Sequence, residues 1–242
     1  MLCVMRCKSM QIRKEIKMAD REVKKWITIN GKHVPLYDKS DSTDLSSMSY
    51  NDTKDWMREN SNYNEWEDEM FDKSIDETIH NYTGERYLWI NEYLRTGEFN
   101  GPKSWYQKDD VEQDIKELDE AVESFDLKKP VTVYRSSDSN LLGNEKMSYE
   151  QMRAMVGKTV SDKAYLSTST LKELPGEQTV GGVVDYVIDV PAGKGNGAYV
   201  ARYSENSSER EMLLRRGASY KINKVTKDAN DFVTVYLTMV NK

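Results

Sequence analysis

The order of apolar patterns along the chain predicts an α+β fold. Three amphipathic helical stretches come first, and a run of short strands separated by glycine-rich or polar turns follows. Strand and helix nowhere alternate regularly, and no G-x-G-x-x-G follows a strand, so a Rossmann-type dinucleotide fold is not expected.

The elements follow in order. Residues 26–37 (Trp26 to Tyr37) read as two short strands around an Asn30-Gly31 turn, and residues 38–47, rich in Asp and Ser, as a linker. An isolated hairpin is marginal in water, so this one is expected to pair with a partner or pack on the main domain. Trp66, Met70, Phe71 and Ile75 recur at helical spacing over Asn64–Thr78. Tyr87, Leu88, Ile90 and Leu94 repeat the pattern over Gly84–Thr96, which Gly97 ends. Val111, Ile115, Leu118, Val122 and Phe125 mark a third helix, with Pro130 beyond it as a break. Strands are then predicted at Val131–Arg135, Ala164–Thr170, Val183–Val190, Ala198–Arg202, Glu211–Arg215 and Ala218–Val225. A short helix is predicted at Tyr149–Met155, and an alternating strand from Phe232 to Met239 closes the chain. Residues 1–45 thus form a basic leader, hairpin and linker, and 46–242 the main domain.

Composition narrows the function classes. With 242 residues, 38% hydrophobic and 10% aromatic, the chain can bury a sizeable core. Its net charge of −6 argues against stable nucleic-acid binding. Positive charge gathers in residues 1–35 and negative charge between Asp38 and Glu123. No apolar run approaches the roughly 18 residues of a membrane span, and the leader lacks an apolar stretch of about 7–15 residues that would mark a secretory signal. The expected location is the cytoplasm of the producing cell, or a virion. Met18-Ala19-Asp20 reads as a natural start, with residues 1–17 an erroneous or unstructured extension. Cys3 and Cys7 are the only cysteines, and a lone C-x3-C pair implies no zinc site. The cysteine-free body suits a reducing cytosol and equally an exported bacterial protein.

Glu209-Arg210-Glu211 is the most informative motif. In an extended segment, carboxylates at i and i+2 share a face and can form one wall of a cleft with different roles. Arg135 ends a predicted strand, where a guanidinium fork suits a phosphate or pyrophosphate. Ser167 and Ser169 fall on one strand face and Thr168 on the other, so the serine hydroxyls can hold a carboxylate or meet a ribose. Glu211 held against Ser167 can hydrogen-bond a ribose hydroxyl and stabilise an oxocarbenium-like transition state, while Glu209 activates a nucleophile. Tyr87 and Asn91, four apart, share a helix face. Taken singly, each feature is equally an edge-strand arginine, ordinary strand composition, a solvated strand end or a core tyrosine. His33 and His80 have no obvious serine or cysteine partner, so a nucleophile–base triad has little support.

Together, Arg135, Ser167-Thr168-Ser169 and Glu209-Arg210-Glu211 resemble the Arg, Ser-Thr-Ser, Glu-x-Glu signature of mono-ADP-ribosyltransferases, in the actin-toxin-like and exoenzyme-like branch. Tyr82 to Asn91 is similar to that branch's helix with its Tyr-x-x-x-Asn pair, and Gly193–Tyr199 and Met212–Gly217 also resemble the family. The resemblance covers residues 60–240. It implies a catalytic domain of N-terminal helices followed by two packed, mainly antiparallel β-sheets around an NAD cleft, with NAD consumed as substrate and no metal.

Carried over by position, it implies that Arg135 binds the NAD phosphates and Ser167 holds Glu211. Glu211 engages the nicotinamide-ribose hydroxyl, and Glu209 selects and activates the acceptor, an arginine of a target protein. NAD would also meet Tyr87, Asn91, Asn140, Thr168 and Ser169, and Tyr203 or its loop would touch the target. Two positions depart from the pattern. Ala164 stands where some relatives have asparagine, and no arginine lies between Ser169 and Arg202, a place Lys172 could fill as a point charge. The Trp26–Tyr37 segment is similar to a short piece preceding catalytic modules in some phage head-associated proteins. The alternatives are an NAD glycohydrolase, which needs Glu211 but not Glu209, and a non-catalytic phage structural protein.

Overall fold

The structure is a computed structural model that describes residues 23–29, 32–37, 41–102, 104–172 and 184–240, with side chains from residue 41 onward. The chain divides into two compact units, Met1–Asp41 and Ser42–Lys242. In the first, β1 (Val23–Ile29) pairs antiparallel with β2 (Lys32–Tyr37), Ile29 facing Lys32 across the closed end. The hairpin is therefore present and begins three residues before the predicted Trp26. The expected Asn30-Gly31 turn, the leader 1–17 and the start at Met18 lie outside the described residues.

The second unit opens with β3 (Thr43–Asp44) and then helix α1 (Tyr50–Asn60), which the sequence reading missed. Its start is written in a reciprocal cap: the Asp52 amide donates to Ser49 Oγ at 3.1 Å and the Ser49 amide to Asp52 Oδ2 at 3.3 Å. The helix predicted over Asn64–Thr78 is two helices, α2 (Tyr63–Asp72) and α3 (Ile75–Asn81). Ser74 sits between them in the left-handed region (φ 61°), which breaks the ladder without any glycine or proline to announce it. A π-helical turn, Tyr82–Arg86, then runs into α4 (Tyr87–Thr96), which Gly97 ends at φ 79° as predicted.

Helix α5 (Lys108–Ser124) buries Val111, Ile115, Leu118 and Val122, the stripe expected of it. Aromatic rings fasten it to α2: Trp66 stands edge-on to Phe125 at 5.5 Å, and its indole N–H donates to the Ala121 carbonyl at 2.7 Å.

The strands that follow are β4 (Asp126–Leu127), β5 (Val131–Ser137), β6 (Thr159–Ser161), β7 (Leu166–Ser169), β8 (Val184–Val190), β9 (Gly193–Lys194), β10 (Gly197–Tyr199), β11 (Glu211–Leu214), β12 (Ser219–Lys227) and β13 (Val233–Val240). Helix α6 (Tyr149–Arg153) intervenes where a short helix was expected. The main sheet runs β10-β11-β7-β5-β8-β13-β12-β6, with β3 beside β5, while β4 and β9 form a separate ribbon. The β8–β13 and β3–β5 pairs are parallel and all others antiparallel.

Two sheets were expected, and hydrogen bonding joins their two halves through one register pair, Tyr134 opposite Ser169. Alternation on β8 and β13 sends Val184, Tyr186, Ile188, Val190, Val235, Leu237 and Met239 into the core.

Candidate active site

Strand register assembles the site. Glu211 lies opposite Ser169, and Leu213 opposite Ser167, so Glu211 and Ser167 are diagonal neighbours on one face. Next to the Tyr134–Ser169 pair, Arg135 of β5 is half-buried and its Nη1 donates to the Ser167 carbonyl at 2.7 Å. β5 continues to Ser137, so Arg135 lies within the strand instead of ending it.

The Glu211 side chain is 6% exposed. Burial pushes its carboxyl up to about 7, a rise that a hydrogen bond from Ser167 opposes, the nearby charge of Glu209 reinforces, and Ser204 and Arg135 oppose. The Ser204 contact is a long one, Oγ to Oε2 at 3.4 Å.

Tyr82, which the sequence reading passed over, forms the floor. Fully buried, it accepts from Asn91 Nδ2 at 3.1 Å, and its hydroxyl also bonds Ser167. Burial raises its pKa, as does the charge of Glu211. The predicted Tyr87–Asn91 pair is therefore split: Asn91 turns into the cluster, whereas Tyr87 is 41% exposed. Nine residues at about 100° each leave two side chains on opposite faces of a straight α-helix. The π turn inserts an extra residue and rotates Tyr82 and Asn91 together.

A second residue missed is Arg95, four after Asn91 and so on the same side of α4. It forms a fork to Asp162 (3.0 and 2.7 Å) and feels the charges of Asp138 and Tyr82. Lys172 is exposed, with its charge acting on Asp44, and Ala164 is buried.

The two carboxylates do not share an extended segment, which corrects the i/i+2 geometry expected from sequence. Glu209 closes a 3-10 turn (Ser207–Glu209), Arg210 is left-handed (φ 50°, ψ 50°), and only Glu211 begins a strand. Tethers from other elements hold this turn. Ser169 Oγ donates to the Glu209 carbonyl at 2.5 Å, Arg210 Nη1 donates to the Met48 carbonyl at 2.6 Å, and the Thr170 amide to the Arg210 carbonyl at 3.2 Å. The Glu209 carboxylate is half-buried and accepts from Asn206 Nδ2 at 2.8 Å.

The remaining predicted residues spread outward. Thr168 is buried and its hydroxyl is committed to the Met212 carbonyl at 2.6 Å. Asn140 is exposed and its amide donates to Asp138 Oδ2 at 2.9 Å. Tyr203 packs its ring on Trp66 and donates to the Glu67 carbonyl at 2.7 Å, so it anchors its loop to α2. Among the described residues, no group of three or more His, Cys, Asp or Glu side chains is placed to hold a metal ion.

Residues 53–240 match the profile of the family described as ADP-ribosyltransferase exoenzyme. Over 144 residues the chain is 28% identical to the NAD(+)–arginine ADP-ribosyltransferase EFV of Enterococcus faecalis, a match that covers 58% of this chain but only 27% of that protein. Among solved structures, Plx2a, an ADP-ribosyltransferase toxin from Paenibacillus larvae, superposes with a TM-score of 0.64 at 26% identity, covering 79% of this chain and 96% of that one. The ADP-ribosylating toxin BECa of C. perfringens, solved with NADH, gives a TM-score of 0.67 at 21% identity, over 89% of this chain and 54% of that one. An ADP-ribosyltransferase from Clostridium botulinum gives 0.64 at 21% identity, over 83% of this chain and 100% of that one. The α+β architecture described above is the fold these proteins share.

Proposed function

The chain belongs to the ADP-ribosyltransferase exoenzyme family, and on that premise we propose that it moves ADP-ribose from NAD to an arginine side chain of a target protein. The observation that carries the reading is the pairing of a buried Glu211, bracketed by Ser167 and Arg135, with a half-buried Glu209 on a tethered turn beside it. Nicotinamide leaves with the electrons of its bond to ribose C1, and positive charge develops on the ribose. Glu211, ionised, stabilises that charge from a low-dielectric site where it is worth most. Its raised pKa is the consequence of placing it there, and the cationic nicotinamide ring favours its ionised form.

Ser167 orients the Glu211 carboxylate, and Tyr82 and Asn91 fix Ser167 from beneath. Arg135 uses one N–H on the Ser167 carbonyl, which leaves the rest of its fork for the diphosphate. Glu209 takes a proton from the acceptor guanidinium as its nitrogen bonds to ribose C1. The name of the Enterococcus faecalis relative and the glutamate at position 209 both favour arginine as acceptor. Target contact is assigned to the exposed residues Glu205–Ser208 of the loop, in place of Tyr203, whose hydroxyl is occupied.

Purified protein is incubated with NAD and poly-L-arginine, following nicotinamide release and label on the polymer. Both are expected. Nicotinamide release without label would favour a glycohydrolase, and the absence of both would overturn the reading.

A further inference from the structure

We propose that the π turn Tyr82–Arg86 positions both carboxylates, and that Thr83 acts through the acceptor loop to set whether a guanidine or water is used; this rests on the function proposed above. Consecutive residues of the turn diverge. Tyr82 points inward to Ser167 and Glu211. Thr83 points to the loop: its hydroxyl donates to the His80 carbonyl at 3.0 Å and accepts from the Glu205 amide at 2.9 Å. That leaves Thr83 as a two-sided latch, with its one proton committed to the helix and a lone pair holding the loop.

Gly84 completes the seat. A Cβ there would collide with the Glu205 carboxylate, so the loop lies directly against the backbone of the turn. From Glu205 the tether reaches the proposed base in one further residue. The Asn206 amide donates to Ser204 Oγ at 3.3 Å, and Asn206 Nδ2 holds Glu209 Oε1 at 2.8 Å. Ser169 and Arg210 fix the backbone on the far side of Glu209. Thr83 therefore governs the carboxylate's aim, while Ser169 governs where its backbone sits. Hydrolysis needs only Glu211, so loosening the latch should cost transfer and spare hydrolysis. π turns recur at functional sites because they redirect neighbouring side chains in this way.

The test compares Thr83→Val, Thr83→Ser and Gly84→Ala with wild type in three readouts. These are nicotinamide release without acceptor, labelling of poly-L-arginine, and amide exchange over residues 204–210. Gly84→Ala displaces only the flexible tip of Glu205, so it leaves the fold intact.

The ratio of labelling to hydrolysis is expected to fall about tenfold in Thr83→Val, as a misplaced catalytic group would cost, and to stay near wild type in Gly84→Ala, which moves only the tip of the Glu205 side chain. Thr83→Ser should restore the ratio, and the Glu205 amide should exchange faster in Thr83→Val. An unchanged ratio in Thr83→Val, or equal loss of both activities there, would overturn the proposal. If wild type released nicotinamide but left poly-L-arginine unlabelled, the arginine reading alone would fail. The exchange of the Glu205 amide would still decide the latch, and no change in Thr83→Val would sink it.

Discussion

Glu211 and Glu209 are the same residue type two positions apart, and the fold gives them different solvents. Glu211 is walled in by β7, Tyr82 and Ser204, and its carboxyl rises to about 7. Glu209 lies half-buried on a turn held by Ser169 and Arg210, with a neutral amide as its side-chain partner. What separates them is Arg210, whose left-handed backbone ends the loop and lets the next residue enter the sheet. Two environments for one residue type are set here by the backbone break between them. A plain strand would have put both carboxylates on one face in one environment.

The largest test of that contrast is Glu211→Gln. With the charge that supports the oxocarbenium ion gone, nicotinamide release should fall about a thousandfold. Stability should move the other way. The folded pKa of about 7 lies above the ordinary 4.5, so this group's contribution is fully present below about pH 4.5 and lost as pH rises through about 7. Gln at 211 escapes that loss. The variant should be more stable than wild type at pH 8, by on the order of 2 kcal/mol, and the gap should close toward pH 5, as followed by thermal unfolding. A variant that was inactive and also less stable at pH 8 would show that Glu211 is not desolvated as described.

Glu209→Gln is the counterpart. Labelling of poly-L-arginine should drop about a hundredfold, the scale of general-base loss, with nicotinamide release held within about threefold of wild type. Equal loss of both would mean that the two carboxylates act as one unit and that the contrast is only one of burial. Next in size is pH. The ionised fraction of a group near 7 rises about tenfold between pH 6 and 8, so kcat/KM for hydrolysis should climb by about that factor. The climb should persist in Glu209→Gln. A flat profile would assign the reaction to a carboxylate with an ordinary pKa.

How much of this was legible in the sequence follows from which interactions are local. Apolar periodicity exposed α4, α5 and most strands, because each buries one face. The α2–α3 break was hidden because Ser74 adopts φ 61° under tertiary constraint, with no local breaker to mark it. Helix α1 carries a legible Ser49–Asp52 cap, but few apolar residues follow it and the segment showed no helical stripe. Arg135, Ser167 and Glu211 were found as types in order, and their meeting depends on strand register, which no single strand displays. Tyr82 was missed because the π turn shifts the helical phase, and regular helical spacing pairs Asn91 with Tyr87 instead. Tyr203, Thr168 and Asn140 carried suitable hydroxyls and amides whose partners, the Glu67 carbonyl, the Met212 carbonyl and Asp138, appear only in three dimensions.

Asn140 gives the smallest and sharpest test. The resemblance implied that Asn140 meets NAD, yet the side chain is exposed and turned back on Asp138, which also accepts from the Asn140 backbone amide at 3.0 Å. Such an Asx turn is worth a fraction of a kcal/mol on the surface and orients little beyond itself. Asn140→Ala should therefore leave nicotinamide release and KM for NAD within about twofold of wild type. Asn91→Ala, which strips one of the two buried partners that hold the Tyr82 hydroxyl beneath Ser167, should cost far more. A loss of tenfold or more in Asn140→Ala, concentrated in KM, would mean that substrate draws the amide off Asp138 and that this turn belongs to the site after all. The contrast between a buried, preset wall and an adjustable outer loop would then extend to β5's end as well as β11's.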